Sequence, residues 1–282
     1  MSKSGVLQYY PSSPVLPVSV TQLAQFITVC NNRKYQATTI TSFVSAIAYV
    51  HKIHQFPNPS DTFLIKKLLH ALRRQSVSDS RLPFTIRHLQ DITHALSHVL
   101  QDTYTIVLMR AMFLIAFFGL FRVGELAVSP QGQQNVIQHQ HLKLATEQNK
   151  VTSCSIQFNQ YKHSQGQVAI IPIKRMSEKR VCPIRSLMKY LKVCRIRQGP
   201  LFQHLSGHPV TTSFFRSTLH SCVVFCHLDP TRYKTHSFRI GGATHAHLSN
   251  MSPVQIQQLG RWRSSAFLKY IRPTALSLLA IK

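Results

Sequence analysis

The chain has 282 residues, 44% of them hydrophobic, which suits one large globular domain or two smaller ones and excludes a disordered chain. Its 33 Lys and Arg against 8 Asp and Glu give a formal charge of +25, so the expected partner is a polyanion, nucleic acid. A membrane is set aside, because the longest unbroken apolar run, Ala111 to Phe121, is too short to cross a bilayer.

Residues 1–18 carry Pro11, Pro14 and Pro17 among serines and read as a flexible lead-in. A helix is predicted from Ser19, where Gln22 completes a capping box ahead of Leu23, Phe26 and Ile27. Ile40, Phe43, Ile47 and Val50 mark a second helix, and Leu64, Leu68 and Leu72 a third that starts near Ser60-Asp61. These make a small helical bundle over 19–76, whose Lys66, Lys67, Arg73 and Arg74 are the expected nucleic-acid contacts. The polar stretch Gln75 to Arg81 reads as a linker to a second domain over 82–282. That domain opens with Ile86, Leu89, Ile92 and Leu96 at helical spacing, then a strongly apolar helix from about Tyr104 to Gly119.

Strands are predicted at 136–144, 151–158 and 167–173, the last two flanking the polar turn Asn159 to Gly166 with Lys162 in it. Helices return at Pro183–Cys194, about Thr211–Cys226, around His236 and from Ser252-Pro253. Helices, a small antiparallel sheet and helices again make an α+β fold that is mostly α.

Four segments carry candidate chemistry. Arg122 emerges from the apolar helix in Gly119-Leu120-Phe121-Arg122-Val123-Gly124-Glu125, and Glu125 is placed to orient its guanidinium. His236 and Arg239 lie three apart, so on a helix they point the same way and can hold one anion. Gly241-Gly242 follows directly; two helical glycines cost roughly 1 kcal/mol each relative to alanine, which signals close packing. Tyr270 lies further on among basic residues, and a guanidinium-rich site can stabilise its phenolate as a nucleophile. Lys162, judged by spacing alone, is a solvated surface charge.

Other chemistries are poorly supplied. Cys222 and Cys226 beside His220 and His227 are filled by Val-Val-Phe and read as a buried helix, so no metal site is expected. The acids form no cluster for a metal-dependent nuclease, and no Gly-rich phosphate loop for ATP is present. No cofactor and no small-molecule substrate are expected. Six scattered cysteines suit a reducing compartment.

Taken in order, these segments resemble the tyrosine recombinases, the phage-integrase family. The first box matches around Arg122, Lys162 falls in the hairpin where the family keeps its catalytic lysine, and His236 and Arg239 match the second box. The family's second His or Trp lies nine residues before the tyrosine; here that position is Arg261, with Trp262 beside it. Either is expected to contact the phosphate, Arg261 by charge or Trp262 by its indole N–H. Gly260-Arg261-Trp262 ahead of Tyr270 resembles the eukaryotic mobile-element branch, such as DIRS-type retrotransposons or Cryptons.

The resemblance implies a core-binding bundle and a catalytic domain that together clamp double-stranded DNA. It implies that Tyr270 forms a 3′-phosphotyrosyl link while Arg122 and Arg239 hold the non-bridging oxygens, His236 assists proton movement and Lys162 protonates the leaving oxygen. It further implies a homotetramer on two DNA sites that uses neither ATP nor metal. The expected location is the nucleus in a eukaryotic host, otherwise the cytoplasm with the nucleoid. Two other readings are a domesticated DNA-binding relative with weak catalysis and a type IB topoisomerase-like enzyme that relaxes one duplex.

Overall fold

The structure, a computed structural model, describes residues 16–75, 80–129, 136–158, 166 and 168–273. The chain divides into two compact units, Met1–Ser80 and Arg81–Lys282.

In the first unit, α1 (Val20–Asn32), α2 (Ala37–Ile53) and α3 (Phe63–Gln75) close around Leu23, Ile27, Cys30, Ile40, Val44 and Ile65. The capping box forms at α1: Ser19 Oγ accepts from the Gln22 N–H at 3.2 Å, and Gln22 Oε1 accepts from the Ser19 N–H at 2.8 Å. The third helix begins later than its Ser60-Asp61 signal, because Pro59–Asp61 forms a separate 3₁₀ turn capped by Asn58. His51 is fully buried; its Nε2 accepts from Val18 N–H at 3.0 Å and its Nδ1 lies 2.7 Å from Pro57 O. That pairing fixes the neutral tautomer with the proton on Nδ1. Lys66, Lys67, Arg73 and Arg74 are all exposed on α3, with Lys67 Nζ 5.1 Å from the Phe63 ring centre.

The second unit is built on α5 (Thr103–Phe118), in which every residue from Leu108 to Phe117 except Arg110 is buried. A helix apolar on all sides has no solvent face, so other elements must wrap it. Those elements are α4 (Ile86–Val99), α7 (Pro183–Val193) and α9 (Thr235–Leu248), with α8 (Thr212–Phe225) packed on α4. Phe113 of α5, Phe215 of α8 and Phe238 of α9 lock the three together, with ring centres 5.2 to 6.0 Å apart. Short α6 (Val123–Leu126) follows α5, and α10 (Pro253–Leu259) leads to a 3₁₀ turn at Ser265–Tyr270.

Strands β1 (Leu142–Glu147), β2 (Lys150–Phe158) and β3 (Ala169–Lys174) form one antiparallel sheet in that order. Gln148 and Asn149 both take positive φ, the conformation of a two-residue turn that matches strand twist. Cys154, Ile156, Ile171 and Ile173 bury one face of the sheet. The first strand departs from the sequence expectation: Val136 and Ile137 are buried outside the ladder, and Ile137 donates its N–H to Glu125 O of α6 and accepts from the Leu201 N–H. A 3₁₀ turn at His139–His141 then delays the ladder to Leu142. An apolar run of that length signals burial without saying whether a ladder or a loop buries it.

Candidate active site

The site is assembled at the end of α5. Leu120 takes a positive φ of 50°, which reverses the chain and aims the Gly119 and Leu120 carbonyls inward. Arg122 then caps α6, and Glu125 folds back to it: Glu125 Oε2 accepts from the Arg122 N–H at 2.8 Å and Oε1 from Nη1 at 3.0 Å. Arg122 keeps 27% of its side chain exposed, whereas the Glu125 side chain keeps 6%.

Arg239 is brought to this corner by α9, and the glycines make the approach possible. A Cβ on Gly241 would sit 2.1 Å from Phe84 O, and one on Gly242 would sit 2.2 Å from Phe117 O. No side chain fits at either position. Arg239 itself is 1% exposed and donates from Nη1 to Leu120 O and from Nη2 to Gly260 O. Its Nε is buried without a hydrogen-bond partner among the described residues. Burial pushes the Arg239 pKa down, and the positive Arg122 and Arg261 push it further down.

The segment around Tyr270 closes over this guanidinium. Trp262 stacks on it with 4.2 Å from Arg239 Cζ to the ring centre, and the Tyr270 ring centre lies 5.7 Å away. The two rings are 4.9 Å apart. Gly260 is required for the fold-back, since a Cβ there would meet the Trp262 ring at 1.7 Å.

Arg261, one of the two candidates at that position, is engaged by protein groups. Its φ of 56° turns the side chain inward, leaving 1% of it exposed, and Nη2 lies 2.7 Å from Glu125 Oε2. It also donates to Gly119 O, Leu120 O and Leu259 O at 3.0 to 3.3 Å, and the guanidinium covers the Phe121 ring. The buried carboxylate holds it there because an uncompensated charge in that pocket would be expensive. Glu125 therefore bridges Arg122 and Arg261, whereas the sequence suggested only the first partner.

His236 lies one turn before Arg239 on α9 and is half-buried. Lys162 lies outside the described residues. Thr244 is a positioning residue the sequence reading missed. Its Oγ1 lies 2.8 Å from Ile240 O within the helix and 3.1 Å from Tyr270 O, and it accepts from the Arg272 N–H at 3.0 Å, so one hydroxyl ties the backbone just after Tyr270 to α9. The available signal was a hydroxyl buried in a helix, at a position where it has to find partners.

Three arginines, one carboxylate and a tyrosine thus share one corner with an excess of positive charge. Such a cluster is matched to an anion with several oxygens, and a phosphodiester is one. Among the described residues no three His, Cys, Asp or Glu side chains form a metal-binding group, and no helix is long and apolar enough to cross a membrane.

Comparison with known proteins points the same way. No protein-family model matches the chain. It is 24% identical over 247 residues to an integrase/recombinase XerD homolog of Selenomonas ruminantium, covering 84% of this chain and 68% of that protein. Its fold is similar to that of the XerH site-specific recombinase in a post-cleavage complex with a palindromic difH substrate. The TM-score is 0.68 at 13% identity, over 97% of this chain and 74% of the other. It is also similar to a lambda integrase dimer bound to a core site, with a TM-score of 0.63 at 13% identity, over 95% and 69% of the two chains.

Proposed function

We infer that this chain is a tyrosine recombinase of the integrase family, an enzyme that breaks and rejoins DNA strands through a tyrosine. The observation that carries this reading is the packing of Tyr270 and Trp262 over Arg239, beside the Arg122–Glu125–Arg261 bridge.

The chemistry follows from the groups present. Tyr270 Oη attacks the phosphorus of a DNA phosphodiester, forming a P–O bond to the phenol and breaking the P–O5′ bond. His236 takes the phenol proton, and Lys162 gives a proton to the departing 5′ oxygen. Arg122, the more exposed arginine, binds the non-bridging oxygens, while Arg239 supplies fixed positive charge behind the tyrosine. A 5′-hydroxyl from another strand then reverses the step, so the bond energy is kept in the phosphotyrosyl ester. Arg261 is a positioning residue in this scheme. Trp262 is the member of the pair left facing the reacting tyrosine.

The reading extends to double-stranded DNA as partner and to a homotetramer acting on two DNA sites. The Gly260-Arg261-Trp262 step supports placement in the eukaryotic mobile-element branch, with the nucleus as the working compartment. A nicked suicide duplex tests the central claim. Wild-type protein should form a covalent protein–DNA adduct, and Tyr270→Phe should bind the duplex without forming one. An adduct that persists in Tyr270→Phe removes this tyrosine from the reaction.

A further inference from the structure

A second concentration of positive charge lies away from the tyrosine cluster. A cavity of about 610 Å³ opens where the β1–β2 turn faces the start of α7. Lys150, Lys174, Arg175, Lys179 and Arg185 line it against a single acid, Glu147. The ion pairs among the described residues are Arg122–Glu125 and Arg261–Glu125, so none of these five cations has an acidic partner there.

The walls of this cleft are built. Arg175 is pinned to β2 by its N–H to Thr152 O at 2.8 Å and its Nε to Val151 O at 2.7 Å, which leaves its two Nη groups as the remaining donors. The loop after β3 is tied back by the Met176 N–H to Cys182 Sγ at 3.3 Å. The register sets Lys174 opposite Ser153, and Lys150 closes the turn opposite Glu147. Arg175 is fixed by its backbone bonds and the other four cations are exposed around it, so the like charges repel one another and an anion that bridges them relieves the repulsion.

The cleft also lies at the far end of the sheet from the β2–β3 connection, which holds Lys162 in the sequence. Lys150 to Phe158 is eight steps along β2, about 26 Å at strand rise. A phosphate held at one end of the sheet is therefore a different phosphate from one held at the other.

We propose that this cleft is a second DNA-backbone site, one that takes phosphates of duplex DNA remote from the reacting one. The proposal rests on the reading of the chain as a DNA recombinase. Its contribution is to affinity and register, since cations that meet only phosphates carry no sequence information.

The test compares two triple variants with wild type. K150Q/K174Q/K179Q removes three cleft charges, and K143Q/K189Q/K192Q removes three exposed lysines from elsewhere in the same unit. Binding of a labelled 40-base-pair duplex is followed by anisotropy across a salt series. The cleft variant should flatten the slope of log affinity against log salt by about 2.7, which is about 40-fold less affinity loss between 50 and 200 mM salt. The control should keep a slope near wild type. Equal slopes for the two variants overturn the proposal, as does a single-stranded RNA of equal length that competes better than duplex DNA for wild type but not for the cleft variant. The adduct assay is run in parallel at saturating protein. Loss of wild-type adduct sinks the recombinase reading, whereas the salt slope decides the cleft.

Discussion

Arg261 Nη2 lies 2.7 Å from Glu125 Oε2, across 136 residues of sequence, and the same carboxylate holds Arg122 through its other oxygen at 3.0 Å. One buried acid therefore fixes both the more exposed Arg122 and the turn that leads into the Tyr270 segment. Removing it should do two things. Glu125→Gln leaves the Arg261 charge buried without compensation, which should destabilise the protein by about 3–5 kcal/mol. The double change E125Q/R261M removes both charges, and its loss in urea melts should be smaller than the sum of the single losses. Additive losses, or a Glu125→Gln penalty under about 1 kcal/mol, would refute the bridge.

Arg239 makes a separate prediction about the reaction. If its charge stabilises the transition state, Arg239→Ala should slow adduct formation by about 3 kcal/mol or more, roughly 150-fold or beyond. Single-turnover cleavage of the nicked duplex measures this directly. A variant that folds normally and cleaves near the wild-type rate removes Arg239 from the chemistry.

Gly241 sets helix propensity against close packing. Alanine should gain about 1 kcal/mol in a helix, but its Cβ would lie 2.1 Å from the Phe84 carbonyl oxygen, a backbone atom with no rotamer to escape into. Overpacking should win, giving a net loss of about 1–3 kcal/mol for Gly241→Ala. Gly124, with nothing within 4 Å of an added Cβ, is the internal comparison, and Gly124→Ala should be neutral or slightly stabilising. Urea midpoints of the two variants test the contrast, and equal midpoints contradict it.

Acid should weaken the second unit above the range where carboxylates titrate. Burial pushes the pKa of His245 below its ordinary value, and burial is also the largest downward influence on His88, His139, His141 and His204. Such groups bind fewer protons folded than unfolded, so stability is fully present above about pH 6.5 and falls as pH drops through that value toward each folded one. Melting temperatures at pH 7.5 and 5.5 should show the drop. His245→Gln should make it shallower, because that ring is held between aromatic side chains, 5.8 Å from Phe117 and 6.0 Å from Phe118, where burial disfavours its charged form. An unchanged drop in His245→Gln would exclude this histidine as a source.

Much of this protein is determined locally and so is legible in the sequence. The Ser19 box, the all-apolar run of α5 and the spacings of α4 and α7 each depend on residues a few positions apart. The helical cost of Gly241-Gly242 likewise signals the close packing found at both positions. Other features were decided only when distant segments met. Whether Val136 and Ile137 join a ladder or dock a loop depends on Glu125 and Leu201, which no local pattern contains. Arg261 reads as a free cation until the fold places a buried carboxylate beside it, and Thr244 reads as helix filler until Tyr270 and Arg272 arrive at its hydroxyl. Spacing encodes which way a side chain points along its own element. Only tertiary packing determines which charge it meets, because a buried arginine such as Arg261 is stabilised where the fold brings a carboxylate to it.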